Sequence, residues 1–277
     1  MNLVVASPTG LCFGVRRAIE RLELALAEYG TVHSLGSPMH NPQEVARLDG
    51  LGLEVIERAS DMPEGEVSFV RAHGIARSEY EELERRSRLV IDGTCPHVSV
   101  AQSRAESLSK EGYSVVIVGD SNHPEVRGIL GYIDGQSRVI PSEAEIDGKI
   151  RYGRLGILSQ TTQRESSFAS VVSKLVLNAG EIKVYNTICG ATIERQKSIR
   201  RLAEQVGGII VIGGRNSANT RKLVEIAESL GVSTMWIEHS GELDRGWLEG
   251  KRSIGVAAGG STPDWLIKDL KCKLQTL

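Results

Sequence analysis

Three of the four cysteines stand in matching sequence contexts. Cys12, Cys95 and Cys189 each follow a strand-like apolar run, in LVVASPTGLC, LVIDGTC and KVYNTIC, and each precedes a stretch typical of a helix. The spacings between them are 83 and 94 residues. A thiol at the start of a helix has a lowered pKa, which favours metal ligation over inert packing. No pair has the C-x-x-C spacing of zinc ribbons or thioredoxins.

Three thiolates at equivalent positions would suit only a few metal centres. Thiolate ligands select zinc, copper(I) or an iron–sulfur cluster. A structural zinc usually takes four protein ligands, and the remaining cysteine, Cys272, lies outside the repeat on a predicted helix, DWLIKDLKCKL. A [4Fe–4S] cluster held by three cysteines leaves one iron open, and that iron can act as a Lewis acid. The spacing alone leaves these centres open.

Polar residues recur at two further positions of the same repeat. Counting 28 residues from each cysteine reaches a residue at the start of a predicted second helix: His40, His123 and Ser217. A polar loop then ends a further predicted strand in each repeat: RAHG (71–74), SQTT (159–162) and GGST (259–262). In α/β proteins, ligands bind at these carboxyl ends of strands.

These loops predict an anion pocket. Helix N-termini add backbone N–H groups and a positive dipole end. Several hydrogen bonds to a charged ligand, at about 1.5–3 kcal/mol each, would hold a phosphate or diphosphate without a lysine. The predicted donors are His40, His73, His123, Ser217, Asn219 and Ser261. Glu125 is either a first-turn acid favoured by the helix dipole or a proton donor.

Alternating strand-like and helix-like stretches predict the elements that carry these residues. We predict helices over 15–29 and 220–230 from the spacing of their apolar residues. The region 134–153 is the most loop-like part of the chain. The predicted strands are 3–7, 67–72, 89–92, 114–119, 155–160, 183–186, 208–214 and 253–259. This alternation favours a parallel α/β architecture.

The repeat also predicts a domain organisation. Each unit supplies one cysteine, one polar helix start and one polar strand end, so we expect three related α/β lobes. Their predicted extents are 13–95, 96–188, and 189–277 together with 1–12. If the three lobes face a shared axis, the three thiolates would converge at its centre.

Composition narrows the class of protein. The 277 residues carry a net charge of −2, so no global field attracts nucleic acid or a membrane surface. The N-terminal sequence MNLVVASPTG does not have the pattern of a secretory signal, and no apolar run reaches the ~20 residues of a membrane helix. Four scattered cysteines then suggest a reducing cytoplasm.

The ordered motifs resemble a known family over nearly the whole chain. In order they read GLCFGVRRAI, HNPQEV, RAHG, DGTCPHV, NHPEVRG, SQTT, TICGAT followed by RQ, GGRNSANT and GGSTPDW. They are similar to those of the 4-hydroxy-3-methylbut-2-enyl diphosphate reductases, the IspH/LytB family. The resemblance implies a trefoil-like α/β enzyme with three lobes around a central [4Fe–4S] cluster. It also implies the last step of the methylerythritol phosphate (MEP) route to isoprenoids.

The resemblance assigns a role to each candidate residue. Cys12, Cys95 and Cys189 would ligate three irons. Glu125, with Thr161 and His123, would carry out the catalytic proton transfer to the leaving hydroxyl. The implied substrate-binding residues are His40, His73, His123, Gln160, Thr161, Thr192, Ser217, Ala218, Asn219 and Ser261. Electrons would come singly from a ferredoxin- or flavodoxin-type donor, and the products would be isopentenyl and dimethylallyl diphosphate.

Ala218 is a departure from the family pattern. Many relatives carry serine or glycine at the middle of this NSAN segment, so this chain offers one hydroxyl fewer to a diphosphate. Two functions other than that of the reductase therefore stay open. One is a duplicated family member with a shifted diphosphate substrate, and the other is a non-redox module that binds a metal or a diphosphate.

Overall fold

The strands carry most of the architecture of this computed structural model, which describes residues 1–276. In chain order they are β1 (Asn2–Val5), β2 (Val32–Leu35), β3 (Leu53–Ile56), β4 (Val67–Val70), β5 (Leu89–Asp92), β6 (Ser114–Val118), β7 (Ser137–Ile140), β8 (Tyr152–Ser159), β9 (Ala179–Tyr185), β10 (Gly208–Ile212), β11 (Thr234–Ile237) and β12 (Ser253–Ala258). They form three four-stranded sheets in which the strand pairs are parallel, so the predicted α/β class is confirmed.

Helices connect the parallel strands, as parallel pairing requires. They are α1 (Phe13–Tyr29), α2 (Pro42–Asp49), α3 (Arg77–Arg86), α4 (Pro96–Lys110), α5 (Pro124–Leu130), α6 (Glu165–Leu175), α7 (Gly190–Ala203), α8 (Ala218–Ser229), α9 (Arg245–Leu248) and α10 (Asp264–Gln275). Short 3₁₀ turns lie at Ala59–Asp61, Glu143–Glu145, Val176–Asn178 and Ser240–Glu242. No helix among residues 1–276 is long and apolar enough to cross a membrane.

The three sheets share one strand order. The first sheet runs β3-β2-β4-β5, the second β7-β6-β8-β9, and the third β11-β10-β12-β1. If the four strands of each sheet are numbered along the repeat, with β1 as the fourth strand of the third sheet, their order across the sheet is second, first, third, fourth. The third sheet takes its fourth strand from the start of the chain, because β1 pairs with β12 from Asn2↔Ser253 to Val5↔Val256. From the first strand of each repeat the chain continues towards one edge of the sheet, and from the third strand of the first two repeats it continues towards the other edge. The crevice between these two strands is where α/β proteins bind ligands.

Two compact units make up the structure. One contains Met1–Arg16, Met39–Arg47 and the chain from Gly190 onward, and it holds the third sheet. The other contains Arg17–Pro38 and Leu48–Cys189, and it holds the first and second sheets. The division into three lobes at residues 95 and 188 stays a prediction.

The strand β10 shows why the apolar runs are continuous. Ile209 and Val211 pack into one core, with residues of α7 and α8. Ile210 and Ile212 pack into another, with residues of α10. Successive side chains of a strand point to opposite faces, and a sheet covered on both faces buries both sets. The sheet is therefore fixed on both sides, and its loops hold their side chains on a rigid base.

Four strands escaped the sequence prediction, namely β2, β3, β7 and β11. Three of them, β3, β7 and β11, lie at the same edge of the three sheets. Edge strands are short and partly exposed, so they do not need a continuous apolar run. The inner strand β2 is buried, but its sequence VHSL contains two polar residues and lacks the usual pattern.

The prediction that 134–153 is a loop was wrong in part. This region contains β7, the 3₁₀ turn at Glu143–Glu145 and the start of β8 at Tyr152. Several boundaries also differ, because β9 begins at Ala179 rather than 183 and α8 spans Ala218–Ser229 rather than 220–230. The apolar pattern weakens at element ends, where the chain meets solvent, so periodicity locates the middle of an element better than its end.

Candidate active site

Each of the three repeated cysteines opens a helix after the fourth strand of a sheet. Cys95 follows β5 and caps α4, Cys189 follows β9 before α7, and Cys12 follows β1 before α1. Their thiols are partly buried, whereas Cys272 is exposed on α10. None of these four cysteines forms a disulfide within residues 1–276. Thiol groups at helix starts are donors of the kind that an iron–sulfur cluster takes.

One backbone hydrogen bond recurs at all three cysteines. Each cysteine N–H donates to the carbonyl two residues after the third strand of the same sheet. The pairs are Cys95 with Ala72 at 3.0 Å, Cys189 with Thr161 at 2.9 Å, and Cys12 with Gly260 at 2.9 Å. The carbonyl belongs in each case to the polar loop singled out by the repeat. The fold thus holds each thiol next to one of these loops.

Glu125 is a buried carboxyl group in the first turn of α5, with only 2% of its surface exposed. The Thr161 N–H donates to Glu125 Oε1 at 2.6 Å, and the Thr161 hydroxyl donates to Oε2 at 2.8 Å. Burial raises the pKa of Glu125 to about 7, although the two hydrogen bonds from Thr161 oppose this shift. A carboxyl group with this pKa holds and releases a proton near neutral pH, as a general acid must.

The His123 ring has a defined tautomer. His123 caps α5, and its Nδ1 accepts the Glu125 N–H at 3.2 Å. An accepting Nδ1 places the proton of the neutral ring on Nε2, so the ring donates from that side. The ring of His73 lies edge-on to it, with centroids 5.5 Å apart. The structure thus brings two of the predicted histidines together beside the buried carboxyl group.

The SQTT loop also contains Thr162, which was not among the predicted site residues. Thr162 lies three residues after its strand, as do His73 after β4 and Ser261 after β12. Its hydroxyl accepts a hydrogen bond of 2.9 Å from Gln160 Nε2, while Gln160 Oε1 accepts the Asp120 N–H at 3.1 Å. Gln160 thus ties the loop together, and its predicted contact with substrate stays a prediction. Aligning the three strand ends, rather than the cysteines, places Thr162 at the same position as His73 and Ser261.

The compact unit that contains the third sheet brings together a second set of predicted residues. The Ser261 hydroxyl lies 3.3 Å from the Ser217 hydroxyl and 3.3 Å from the His40 carbonyl oxygen. Ser217 caps α8 and accepts the Thr220 N–H. The adjacent Ala218 contributes no polar side chain. Hydroxyl groups and a helix start therefore face one another here, as an anion site requires.

Asn219, in the same set, is buried and has an unsatisfied polar atom. It is 9% exposed, and its Oδ1 has no hydrogen-bond partner among residues 1–276. A buried amide oxygen without a partner is costly, and the orientation of an amide can reverse to present its NH₂ group at that place. A ligand with acceptor oxygens would satisfy it. Thr192 is also buried, three residues after Cys189 on α7, and its substrate contact stays a prediction.

Comparisons with known proteins match this chain, over nearly its full length, to one family. The family model of the LytB protein matches residues 3–275. A 4-hydroxy-3-methylbut-2-enyl diphosphate reductase of Aquifex aeolicus is 42% identical, over 100% of this chain and 97% of the relative. The reductase of Geobacter sulfurreducens is also 42% identical, over 99% of this chain and 97% of the relative.

Solved structures share the fold. A structure of an (E)-4-hydroxy-3-methyl-but-2-enyl diphosphate reductase, described as the terminal enzyme of the non-mevalonate pathway, covers 100% of both chains at 42% identity, with a TM-score of 0.74. The Plasmodium falciparum reductase covers 100% of this chain and 87% of its own at 26% identity, with a TM-score of 0.88. The chain described here belongs to the LytB protein family.

Proposed function

We propose that this protein is a 4-hydroxy-3-methylbut-2-enyl diphosphate reductase, an oxidoreductase of isoprenoid biosynthesis. One observation carries the proposal beyond family membership. Thr161 hydrogen-bonds to the buried carboxyl group of Glu125 through its N–H and hydroxyl, and its carbonyl accepts the N–H of Cys189. A single residue thus joins a proton donor to a metal ligand. This connection would hold the acid next to the place where electrons arrive.

The cysteines would hold the cofactor. Cys12, Cys95 and Cys189 would supply three thiol groups, each at the start of a helix. When bound, a [4Fe–4S] cluster supplies single electrons and one iron without a protein ligand, which acts as a Lewis acid. The chain's own contribution is to present the thiols on short, hydrogen-bonded turns.

The polar loops would hold the diphosphate. His40, His73 and His123 offer ring N–H groups, and Ser217, Ser261 and Asn219 offer hydroxyl and amide groups, with Thr162 at the equivalent strand position. Donors of this kind bind a charged ligand by about 1.5–3 kcal/mol each. The neutral tautomer of His123 lets its ring donate without carrying a charge.

Glu125 would deliver a proton during the reaction. Removing the hydroxyl group consumes two electrons and two protons, one proton leaving in water and one being added to carbon. With its pKa near 7, Glu125 is protonated in a large fraction of molecules at neutral pH. The Thr161 hydrogen bonds keep the carboxyl group in place and stabilise its anion after the proton has left.

The remaining assignments rest on the same reasoning. A ferredoxin- or flavodoxin-type protein would supply electrons singly. The absence of disulfides among the four cysteines suits a reducing compartment, so we place the enzyme in the cytoplasm. The shared strand order of the three sheets supports the three lobes 13–95, 96–188, and 189–277 with 1–12.

Anaerobic purification followed by turnover tests the proposal. We expect about four irons and four sulfides per chain, the stoichiometry of the cluster. With a chemical reductant, the butenyl diphosphate should yield isopentenyl and dimethylallyl diphosphate. A colourless protein that holds one zinc even after anaerobic reconstitution would favour the non-redox module. An intact cluster that reduces a different allylic diphosphate faster would indicate the shifted substrate, with Ala218→Ser as the matched variant.

A further inference from the structure

The segment leading into each cysteine is contacted by an arginine from another part of the chain. The first case concerns Cys95. Arg17 lies on α1, the helix that begins directly after Cys12, and its Nη1 donates to the carbonyl of Thr94 at 3.1 Å. One turn later, Arg21 donates to the carbonyl of Asp92 at 2.7 Å. The helix that starts at one cysteine therefore holds the backbone just before the next cysteine in the chain.

The second case has the same direction. Arg104 lies on α4, the helix that begins directly after Cys95. Its guanidinium group lies over the ring of Tyr185, 4.7 Å from the ring centroid. Tyr185 ends β9 and precedes Cys189 by four residues. This contact is a cation–π interaction rather than a hydrogen bond, and such contacts are worth less at exposed positions.

The third case closes the cyclic order. Arg195 lies on α7, the helix that begins directly after Cys189. Its Nη2 donates to the carbonyl of Gly10 at 2.7 Å, two residues before Cys12. Its Nη1 lies 3.2 Å from the carbonyl of Ala191 in the first turn of the same helix. One guanidinium group thus links the start of α7 to the loop that leads into Cys12.

The three arginines differ in burial, and this difference predicts the relative strength of their contacts. Arg195 is 4% exposed, which is rare for arginine because removing its charge from water costs free energy. Arg17 is partly buried, and Arg104 is exposed. The planar guanidinium group offers five donors, so it can bridge two carbonyls where lysine offers only a point charge. The Arg195 contact should therefore matter most and the Arg104 contact least.

We propose that Arg17, Arg104 and Arg195 are positioning residues that couple the three cysteine turns in cyclic order. The helix that starts at Cys12 steadies Cys95, the helix that starts at Cys95 steadies Cys189, and the helix that starts at Cys189 steadies Cys12. The importance of this coupling for cluster binding rests on the proposed function. The coupling itself is a property of the polypeptide and can be measured without a cluster.

Site-resolved alkylation of the full-length, cluster-free protein tests the coupling. Iodoacetamide labelling of each cysteine is followed by peptide mass spectrometry at the alkaline plateau, where every thiol is ionised and rates report access alone. Exposed Cys272 serves as the internal standard. Arg195→Gln should raise labelling of Cys12 relative to Cys95 about tenfold, as expected for the loss of one charged hydrogen bond.

The other variants should move different cysteines. Arg17→Gln should raise labelling of Cys95 relative to Cys12 by about threefold, since its hydrogen bond is partly exposed to water. Arg104→Gln should raise labelling of Cys189 by about twofold. Arg200→Gln, an exposed position on the same helix as Arg195, is the matched control and should change none of the ratios. Arg195→Lys should restore only part of the protection, because lysine cannot bridge two carbonyls.

A second measurement uses the reconstituted protein. The rate of iron release to a chelator should increase in the order Arg104→Gln, Arg17→Gln, Arg195→Gln. Equal labelling increases at all three cysteines, or none, would overturn the proposal. Should Arg195→Gln fail to fold, the separate increases at Cys95 in Arg17→Gln and at Cys189 in Arg104→Gln decide the matter. A wild-type protein that binds no cluster would instead contradict the proposed function, while the labelling pattern would still test the coupling.

Discussion

The second and third sheets place different chemistry on the same backbone positions. His123 and Ser217 both follow the first strand of their sheets and cap the next helix. Two residues later, Glu125 and Asn219 occupy equivalent helix positions, and both are buried. The loops opposite differ, because Thr161 stands where the third sheet has Gly260. Thr161 satisfies Glu125 with two hydrogen bonds, whereas Asn219 Oδ1 has no partner within residues 1–276.

This difference separates two roles. A carboxyl group enclosed by its own hydrogen-bond donors keeps its place and a pKa near 7, and so it can transfer protons. An amide facing a glycine loop lacks such a partner and awaits one from outside. The fold repeats the positions, but the second sheet places an enclosed carboxyl group there, whereas the third sheet places an amide whose Oδ1 has no partner within residues 1–276.

Replacing Glu125 should cause the largest loss. Glu125→Gln keeps the shape of the side chain but removes its exchangeable acid, so we expect kcat to fall by roughly 10²–10⁴-fold, the range for a general acid. The cluster absorbance and the KM should change little. Steady-state turnover with a chemical reductant would measure both parameters, and a near-normal kcat would show that Glu125 is not the proton donor.

The same variant should change how stability depends on pH. The folded protein holds the Glu125 pKa near 7, above the ordinary value of 4.5. Wild-type protein therefore loses stability as pH rises from about 4.5 through about 7, since the folded state must give up a proton from a buried group. Glu125→Gln should lack this part of the loss in denaturant titrations. An unchanged profile would show that the carboxyl group is less enclosed.

Making the third sheet more like the second should impair binding instead. Asn219→Asp places a carboxylate where a diphosphate would accept hydrogen bonds. Repulsion and the lost donor should raise KM by about tenfold to a hundredfold, corresponding to one lost hydrogen bond to a charged ligand. The kcat should fall much less than in Glu125→Gln. Steady-state kinetics separate the two effects, with Asn219→Ser as the uncharged control.

The Thr161 hydroxyl should set the pH at which the acid works. Its hydrogen bond lowers the pKa of Glu125, so Thr161→Val should raise that pKa from about 7 to a higher value. Activity that needs the protonated acid falls as pH rises through this pKa, so the alkaline fall of kcat/KM should move to higher pH. Thr162→Val, next in the chain, should leave the midpoint in place. A shift to lower pH would contradict this arrangement.

The smallest effect is expected at Cys272. This thiol lies exposed on α10 and has no counterpart at the repeated helix starts. Cys272→Ser should leave iron content, cluster spectrum and kcat unchanged, whereas Cys95→Ser should abolish cluster binding. Loss of the cluster in Cys272→Ser would show that four cysteines, rather than three, take part.

Short sequence patterns predicted many of the strands and loops that carry the candidate site. The contexts of Cys12, Cys95 and Cys189, the polar loops and eight of the strands could all be located from the sequence, because each has a short-range signature. Edge strands such as β7 and β11 could not, since half-exposed strands carry little apolar pattern. Thr162 was overlooked because the repeat was aligned on cysteines rather than on strand ends.

The sequence by itself determined which residues are chemically able to act, through their types and their periodic positions. Only the tertiary structure decided how they act. It brings Glu125 to Thr161, 36 residues away, buries the pair and so raises the pKa of the acid. It also closes the third sheet with β1 and directs Arg195 to Gly10 across 185 residues. Desolvation and long-range hydrogen bonds depend on the folded surroundings, which no local pattern contains.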